Sequence, residues 1–326
     1  IALKLGGHRK EDIKHTDVVV ANPDVSVKNP FIRYALRLGK RVENEATIFF
    51  SLFPAKIVGV TGTRGKTTTT AWTDHFLKAG FRSAIAGNST EHQFLKVLDR
   101  AGKLDVAVAE VPSFHLELFD SVRRAPDVVL VTNIYQDHLN RHGTLRQYAL
   151  TKAKLFERQT SDQHLALNAD DVWTRFFLRQ RPRARVWFFS MRSLPRGTQG
   201  IFYRNKAVYF QFDGRKEKVL ELGDFVARHG EHNLYNLLAG SLAAYLAGAS
   251  WFQIQRRIAS LPAVPFRQQV VFKSRRLTII NDTTATSPEG CIAAVKRFAG
   301  PRTILIAGGT DRQLDFRQWG KVVPRH

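Results

Sequence analysis

The sequence is short of sulfur. One cysteine, Cys291, and one methionine, Met191, stand among 326 residues. A lone cysteine closes no internal disulfide, which excludes a disulfide-stapled secreted scaffold and fits a reducing cytoplasm. No apolar run approaches the ~20 residues of a membrane-spanning helix, and no signal peptide is visible. Carboxylates are also scarce: 28 Asp and Glu face 50 Lys and Arg, a net charge of +22. That excess favours anionic partners such as nucleotides, sugar diphosphates, nucleic acid or an acidic membrane surface. Arg175, Arg179, Arg181, Arg183 and Arg185 interleave with Phe176, Phe177, Trp187 and Phe188, a composition that can bind nucleic acid. A solvated helix face followed by a buried strand accounts for it better, so no nucleic-acid partner is expected. Internal repeats are absent. The first residue is Ile1, and the closing α/β pattern is incomplete, so the chain is expected to be a piece lacking some of both ends.

The most informative stretch is KIVGVTGTRGKTTTT at 56–70. Lys56-Ile57-Val58-Gly59-Val60 has the β-branched composition of a buried strand. Residues 68–79 place Trp72, Phe76 and Ala79 at helical spacing, with Gly80 as a stop. Between them lies a loop with two glycines and a Lys-Thr end. Strand, glycine loop and helix together form the context of a phosphate loop. Glycines let backbone N–H groups turn toward phosphate oxygens, Lys66 adds a point charge, the Thr67 hydroxyl suits Mg²⁺, and the helix N-terminus adds its positive end. The strict GxxxxGK[ST] pattern is missed, because Val60 stands where its first Gly belongs.

The rest of the chain alternates strands and helices, which implies a parallel sheet. A small α/β piece covers 1–54, with a buried strand at 17–21, a helix at 30–38 using Phe31, Ala35 and Leu38 as its inner face, a short strand at 41–43, and a Phe53-Pro54 linker. The next piece, 55–262, carries strands at 83–86, 106–110, 128–132, 165–168 and 186–190, a hairpin over 201–212 turning at Asn205-Lys206, and a helix at 231–246. From 263 to 326, strands at 268–272 and 277–281, a helix at 288–298 and a strand at 303–307 open a third α/β piece. Ligands of parallel sheets sit at strand carboxyl ends. Glu110, Asp137, His138 and Asp282 fall at or just after such ends. Glu110 and Thr67 can serve Mg²⁺, and His138 can complete a second metal site.

In their order these pieces resemble the Mur ligases, ATP-dependent amide-forming enzymes of cell-wall precursor synthesis. The matching residues are the loop 61–67, Glu110 with Ser113-Phe114, Asp137-His138 with Arg141, Tyr148 with Lys152, Asn168-Ala169-Asp170-Asp171, His232-Asn233 with Asn236, Arg267, Asn281-Asp282 with Ala285-Thr286, and Gly308-Gly309. Leu5-Gly6-Gly7-His8-Arg9, the Asn22-Pro23 turn and the Pro-Ser-Phe-His run at 112–115 are most similar to the branch that adds D-glutamate to UDP-N-acetylmuramoyl-L-alanine.

The resemblance implies three α/β domains: a partial UDP-substrate domain at 1–54, a central parallel-sheet P-loop ATPase at 55–262, and the start of a C-terminal domain at 263–326. It implies ATP and Mg²⁺ as cofactors, an acidic amino acid as second substrate, and a monomer. Lys66, Glu110, His138 and Lys152 are the implied catalytic residues, and Thr67, Glu110, His138 and a carbamylated Lys152 the implied metal ligands. Gly62, Thr63, Arg64, Gly65, Lys66, Thr67, Thr68, Asn233, Asn236, Arg267 and Asp282 match nucleotide positions. Asn88, Ser113, His115, Arg141, Thr286 and Arg312 match substrate positions. Three residues depart from the family pattern: Arg64 replaces an Asn, and Thr284 and Arg312 each replace a Lys.

Overall fold

The computed structural model describes residues 3–89, 91–285, 287–309 and 315–323. They divide into two compact units, one of residues 1–225 and 233–261, the other of 226–232 and 262–326.

The first unit opens with α1 (Lys10–Lys14), β1 (Val18–Val20), α2 (Pro30–Arg37) and β2 (Arg41–Glu43). β1 and β2 pair in parallel over a small core of Ile13, Ala21, Ile32, Ala35 and Val42. Two expectations change here. The apolar run at 17–21 is not a buried strand: Val18 and Val20 are exposed, because a two-stranded sheet covers only one face. On α2 the inner residues are Ile32 and Ala35, while Leu38 lies outside. Helix α3 (Glu45–Leu52) was not foreseen in the sequence. A capping box starts it, Asn44 Oδ1 accepting from the Thr47 N–H and Thr47 Oγ1 accepting from the Asn44 N–H. Its Phe49, Phe50 and the following Phe53 pack into the main core.

That core packs on one face of a nine-stranded sheet. In chain order come β3 (Lys56–Thr61), α4 (Lys66–Leu77), β4 (Ser83–Ala86), α5 (Phe94–Leu98), β5 (Val106–Glu110), α6 (Ser113–Leu116), β6 (Val128–Val131), α7 (Leu139–His142), α8 (Leu145–Ala153), β7 (His164–Asn168), α9 (Thr174–Arg179) and β8 (Arg185–Ser190). Then follow β9 (Gly200–Arg204), β10 (Ala207–Phe212), β11 (Arg215–Glu221), α10 (Phe225–His229), which after its first residue belongs to the second unit, α11 (Leu234–Ala247) and α12 (Trp251–Ile258). The strand order is β11-β10-β9-β8-β7-β6-β3-β5-β4. Pairing is parallel from β4 to β9 and antiparallel among β9, β10 and β11. β11 lay outside the sequence reading, because Arg215-Lys216-Glu217-Lys218 is too charged to read as a strand.

Strand alternation builds a core on each face. Val58, Val60, Val106, Val108, Val128 and Leu130 face α4 and α11. Ile57, Ala107, Ala109, Val129 and Val131 face the opposite core, with Phe49, Phe94, Tyr148 and Phe156. The apolar runs are continuous because both faces are covered. Among the described residues no helix is long and apolar enough to cross a membrane.

The second unit contains the antiparallel pair β12 (Gln269–Lys273) and β13 (Thr278–Asn281), with α13 (Pro288–Phe298) and α14 (Arg317–Val322). Ser287 caps α13 by accepting from the Gly290 N–H. The strand expected at 303–307 is irregular. Ile304 and Ile306 are about nine-tenths exposed, and no described strand lies alongside to pair with them.

Candidate active site

The site grows out of the end of β3. This strand lies between β5 and β6, and the chain must turn sharply from it into α4. Gly62 (φ 138°) and Gly65 (φ 81°) make that turn in backbone regions that L side chains rarely adopt. A Cβ on Gly62 would lie 2.0 Å from Thr132 Oγ1, and one on Gly65 2.3 Å from Asn236 Oδ1. The loop is pinned from the end of β6. The Thr63 N–H donates to the Asn133 carbonyl at 2.9 Å, and the Arg64 N–H to Asn133 Oδ1 at 2.8 Å. The Arg64 carbonyl accepts from Thr132 Oγ1 at 2.7 Å and Asn133 Nδ2 at 3.1 Å. Thr132 and Asn133 were not among the residues singled out from sequence; their place directly after a buried strand was the available signal.

Polar side chains converge on this loop. Lys66 Nζ folds back to donate to the Thr63 carbonyl at 3.0 Å. Thr67 Oγ1 donates to Glu110 Oε1, at the end of the neighbouring β5, at 3.2 Å. Thr68 is buried in the first turn of α4. From α11, Asn236 Oδ1 accepts from Thr69 Oγ1 at 3.2 Å, and Asn236 Nδ2 donates to Asn233 Oδ1 at 2.7 Å. Asn236 therefore sits against the loop from one side and against Asn233 from the other.

Lys152, on α8, is buried under the same loop at 1% exposure. Its Nζ donates to Thr61 Oγ1 at 3.5 Å and lies 4.5 Å from the Tyr148 ring centre. Burial, reinforced by the nearby Lys66 charge, holds its amine well below the ordinary lysine range, while Asp137 and Glu110 pull the other way. The Tyr148 hydroxyl lies 3.3 Å from Thr63 Oγ1, and burial raises its pKa. Tyr148 thus packs against the loop from α8, with the His138 and His142 rings beside it.

A second polar cluster lies beside Tyr148. His138, in the left-handed region at φ 52°, donates its backbone N–H to Asp137 Oδ1 at 3.0 Å, and its Nε2 is 3.7 Å from Asp137 Oδ2. Ser113 Oγ and His142 Nε2 are 3.0 Å apart. Burial pulls His142 down to about 4, so its imidazole is neutral near pH 7. His115 is fully buried, with Nε2 3.3 Å from Glu45 Oε1 and its carbonyl accepting from Asn44 Nδ2 at 2.9 Å. Asn88 lines a cavity of about 400 Å³ with Ala21, Asn22, Pro23, Asp24 and Glu45. Arg141 is engaged within the chain: its Nε donates to Glu117 Oε1 at 2.6 Å and its Nη2 to the Pro23 carbonyl at 2.9 Å.

Asp282 and Arg267 belong to the second unit. There Asp282 Oδ1 accepts from the Gln268 N–H at 3.0 Å, burial raises its pKa, and Arg267 opposes the shift. Thr286 and Arg312 lie outside the described residues.

Among the described residues no group of three or more His, Cys, Asp or Glu side chains gathers into a protein-only metal cage. The donors that do converge, the Thr67 hydroxyl and the Glu110 carboxylate, are hard oxygens. Mg²⁺ is commonly held by one or two carboxylates completed by substrate phosphates, so this pair at a phosphate loop fits that ion.

With this geometry in place, comparison with known proteins is decisive. Residues 60–244 match the Mur ligase middle domain. A UDP-N-acetylmuramoylalanine--D-glutamate ligase from Roseiflexus sp. (strain RS-1) is 35% identical over 320 residues, covering 97% of this chain and 68% of that protein. Among solved structures, MurF from Acinetobacter baumannii superposes with a TM-score of 0.60 at 16% identity, covering 89% of this chain and 71% of that one. MurF ligase from Thermotoga maritima, in complex with ADP, gives 0.53 at 21% identity, with 90% and 74% covered. At those identities the structural likeness speaks to fold alone. The family match and the sequence relative carry the assignment: this chain belongs to the Mur ligase family.

Proposed function

We infer that this protein uses ATP to join D-glutamate to UDP-N-acetylmuramoyl-L-alanine, a step in building the peptidoglycan precursor. The observation that carries the reading is the convergence of Lys66, Thr67, Glu110 and buried Lys152 on one glycine loop, in a chain whose curated relative bears that activity in its name.

The chemistry needs a carboxylate made reactive, since its own leaving group would be oxide. A carboxylate oxygen of the alanine attacks the ATP γ-phosphorus, and the bond to the ADP oxygen breaks. The glutamate amine then attacks the acyl carbon, phosphate leaves with the bridging oxygen, and the amine loses a proton. Most of the protein's task is positioning and charge neutralisation. The loop N–H groups and Lys66 hold the phosphates, and Asn236 and Asn233 lie where α11 meets the loop. Thr67 and Glu110, with His138 and a carbamylated Lys152, would hold Mg²⁺, which supplies charge neutralisation at the phosphates. Lys152 is suited to carbamylation because burial favours the neutral amine that reacts with CO₂. The cavity at Asn88 is assigned to the sugar nucleotide, with His115 joined to its Glu45 wall, and Ser113 is assigned to the same substrate. Arg141 ties the Pro23 segment to Glu117 at that cavity's edge. Arg267 and Asp282 serve the nucleotide from the C-terminal piece, and Thr286 and Arg312 the amino acid. The same reading divides the chain at 54 and 262 into three domains and places it in the cytoplasm, where ATP is available.

The test offers single amino acids with ATP, Mg²⁺ and UDP-N-acetylmuramoyl-L-alanine, and reads phosphate release and product mass. D-Glutamate should give a product heavier by one glutamyl residue. Phosphate release indifferent to the UDP-sugar, or coupling of a different amino acid alone, would overturn the assignment.

A further inference from the structure

Arg64 has a fixed backbone and an incompletely matched side chain. Its N–H donates to Asn133 Oδ1, and its carbonyl accepts from both Thr132 and Asn133, so any rearrangement at this position falls to the side chain. One guanidinium nitrogen, Nη1, lies 3.5 Å from Asp137 Oδ2, a separation long for a charge-assisted hydrogen bond. The Nε is buried and has no hydrogen-bond partner. A buried donor without an acceptor is costly, and this one sits in the loop that faces phosphate. Asp137, for its part, is mostly buried and has other donors at hand: the His138 N–H at 3.0 Å and His138 Nε2 at 3.7 Å.

We propose that Arg64 is a second phosphate-binding cation of the loop, and that Asp137 competes with the nucleotide for it. Without nucleotide the guanidinium leans on Asp137. A phosphate entering the loop offers the acceptor that Nε lacks, and the planar fork of Arg can meet two phosphate oxygens at once. The guanidinium then passes from carboxylate to phosphate, and Asp137 is left to His138. Lys66 is a point charge and cannot supply that paired geometry. This inference rests on the nucleotide-binding reading above.

The experiment titrates ADP by calorimetry in EDTA, so that no metal contact contributes, into the wild type, Arg64→Asn, Asp137→Asn and the double variant. Arg64→Asn should weaken ADP binding about tenfold. Asp137→Asn should tighten it about threefold, since it removes the competitor. The double variant should match Arg64→Asn alone. If the ion pair served only to shape the loop, Asp137→Asn would weaken ADP or leave it unchanged, and either result overturns the proposal. So does wild-type affinity in Arg64→Asn. Arg64→Lys keeps the charge without the fork and should fall between the two. It decides the matter should Arg64→Asn fail to fold, because wild-type affinity in Arg64→Lys contradicts the fork. A wild type that binds no ADP overturns the nucleotide reading itself.

Discussion

The two ends of the nine-stranded sheet use similar strands to different effect. From β3 to β7 every strand runs the same way, so their carboxyl ends open on one side, and Thr61, Glu110, Thr132 and Asn168 gather there. At the other end, β9, β10 and β11 reverse direction through Asn205-Lys206 and Asp213-Gly214. Those tight hairpins leave no shared end and no long loop, and Phe210 and Phe212 of β10 stack with Trp187 of β8 in an aromatic row. Strand direction, more than strand composition, decides where chemistry can accumulate.

Substitutions can break or sharpen that contrast. The largest effect belongs to the parallel half: Lys66→Ala should cut steady-state turnover about a hundredfold or more while leaving the thermal midpoint near that of the wild type. Retained turnover would break the contrast at its strongest point. Gly65→Ala comes next, because φ is 81° and the new methyl would meet Asn236 at 2.3 Å. Nucleotide affinity should drop about tenfold, with a stability cost of about 1–2 kcal/mol in denaturant titration.

A subtler effect concerns His142, held down at about 4 in the fold against about 6.5 in the unfolded chain. Between those values the unfolded state binds more protons, so this residue makes stability rise with pH and fall as pH drops through the window. His142→Gln should flatten the stability curve of the protein from about pH 6.5 down to about 4; parallel curves for mutant and wild type would contradict the assignment. The smallest effect lies in the antiparallel half. Lys206 sits at φ 57° in the β9–β10 turn, where Gly suits the backbone. Lys206→Gly should raise stability by up to about 1 kcal/mol with turnover unchanged.

Much of this was legible in the sequence, for reasons that differ by region. The strands β3, β5 and β6 read clearly because burial on both faces leaves an unbroken β-branched run. The phosphate loop read through despite Val60, since strand, glycines and Lys-Thr survive where the first Gly does not. Residues 303–307 show the limit. Thr303-Ile304-Leu305-Ile306-Ala307 has the look of β6, but a strand needs a neighbour, and composition does not supply one. Helix α3 was hidden by its aromatic residues, which read as a linker approach, although Asn44 and Thr47 spelled its cap. Of the site, Lys66, Thr67, Glu110, Asn236 and Lys152 were named from sequence and the fold brings them together around the loop. The supports Thr132, Asn133 and His142 were not, because residues that hold others in place carry no motif of their own.

The central claim is that the phosphate released from ATP has travelled through the acceptor's acid group. It is tested most directly by labelling the alanine carboxylate of UDP-N-acetylmuramoyl-L-alanine with ¹⁸O and analysing the products by mass spectrometry. Released phosphate should carry one ¹⁸O atom, taken from the carboxylate as the amide forms. Unlabelled phosphate alongside labelled amide product, the second ¹⁸O having left as water, would contradict it.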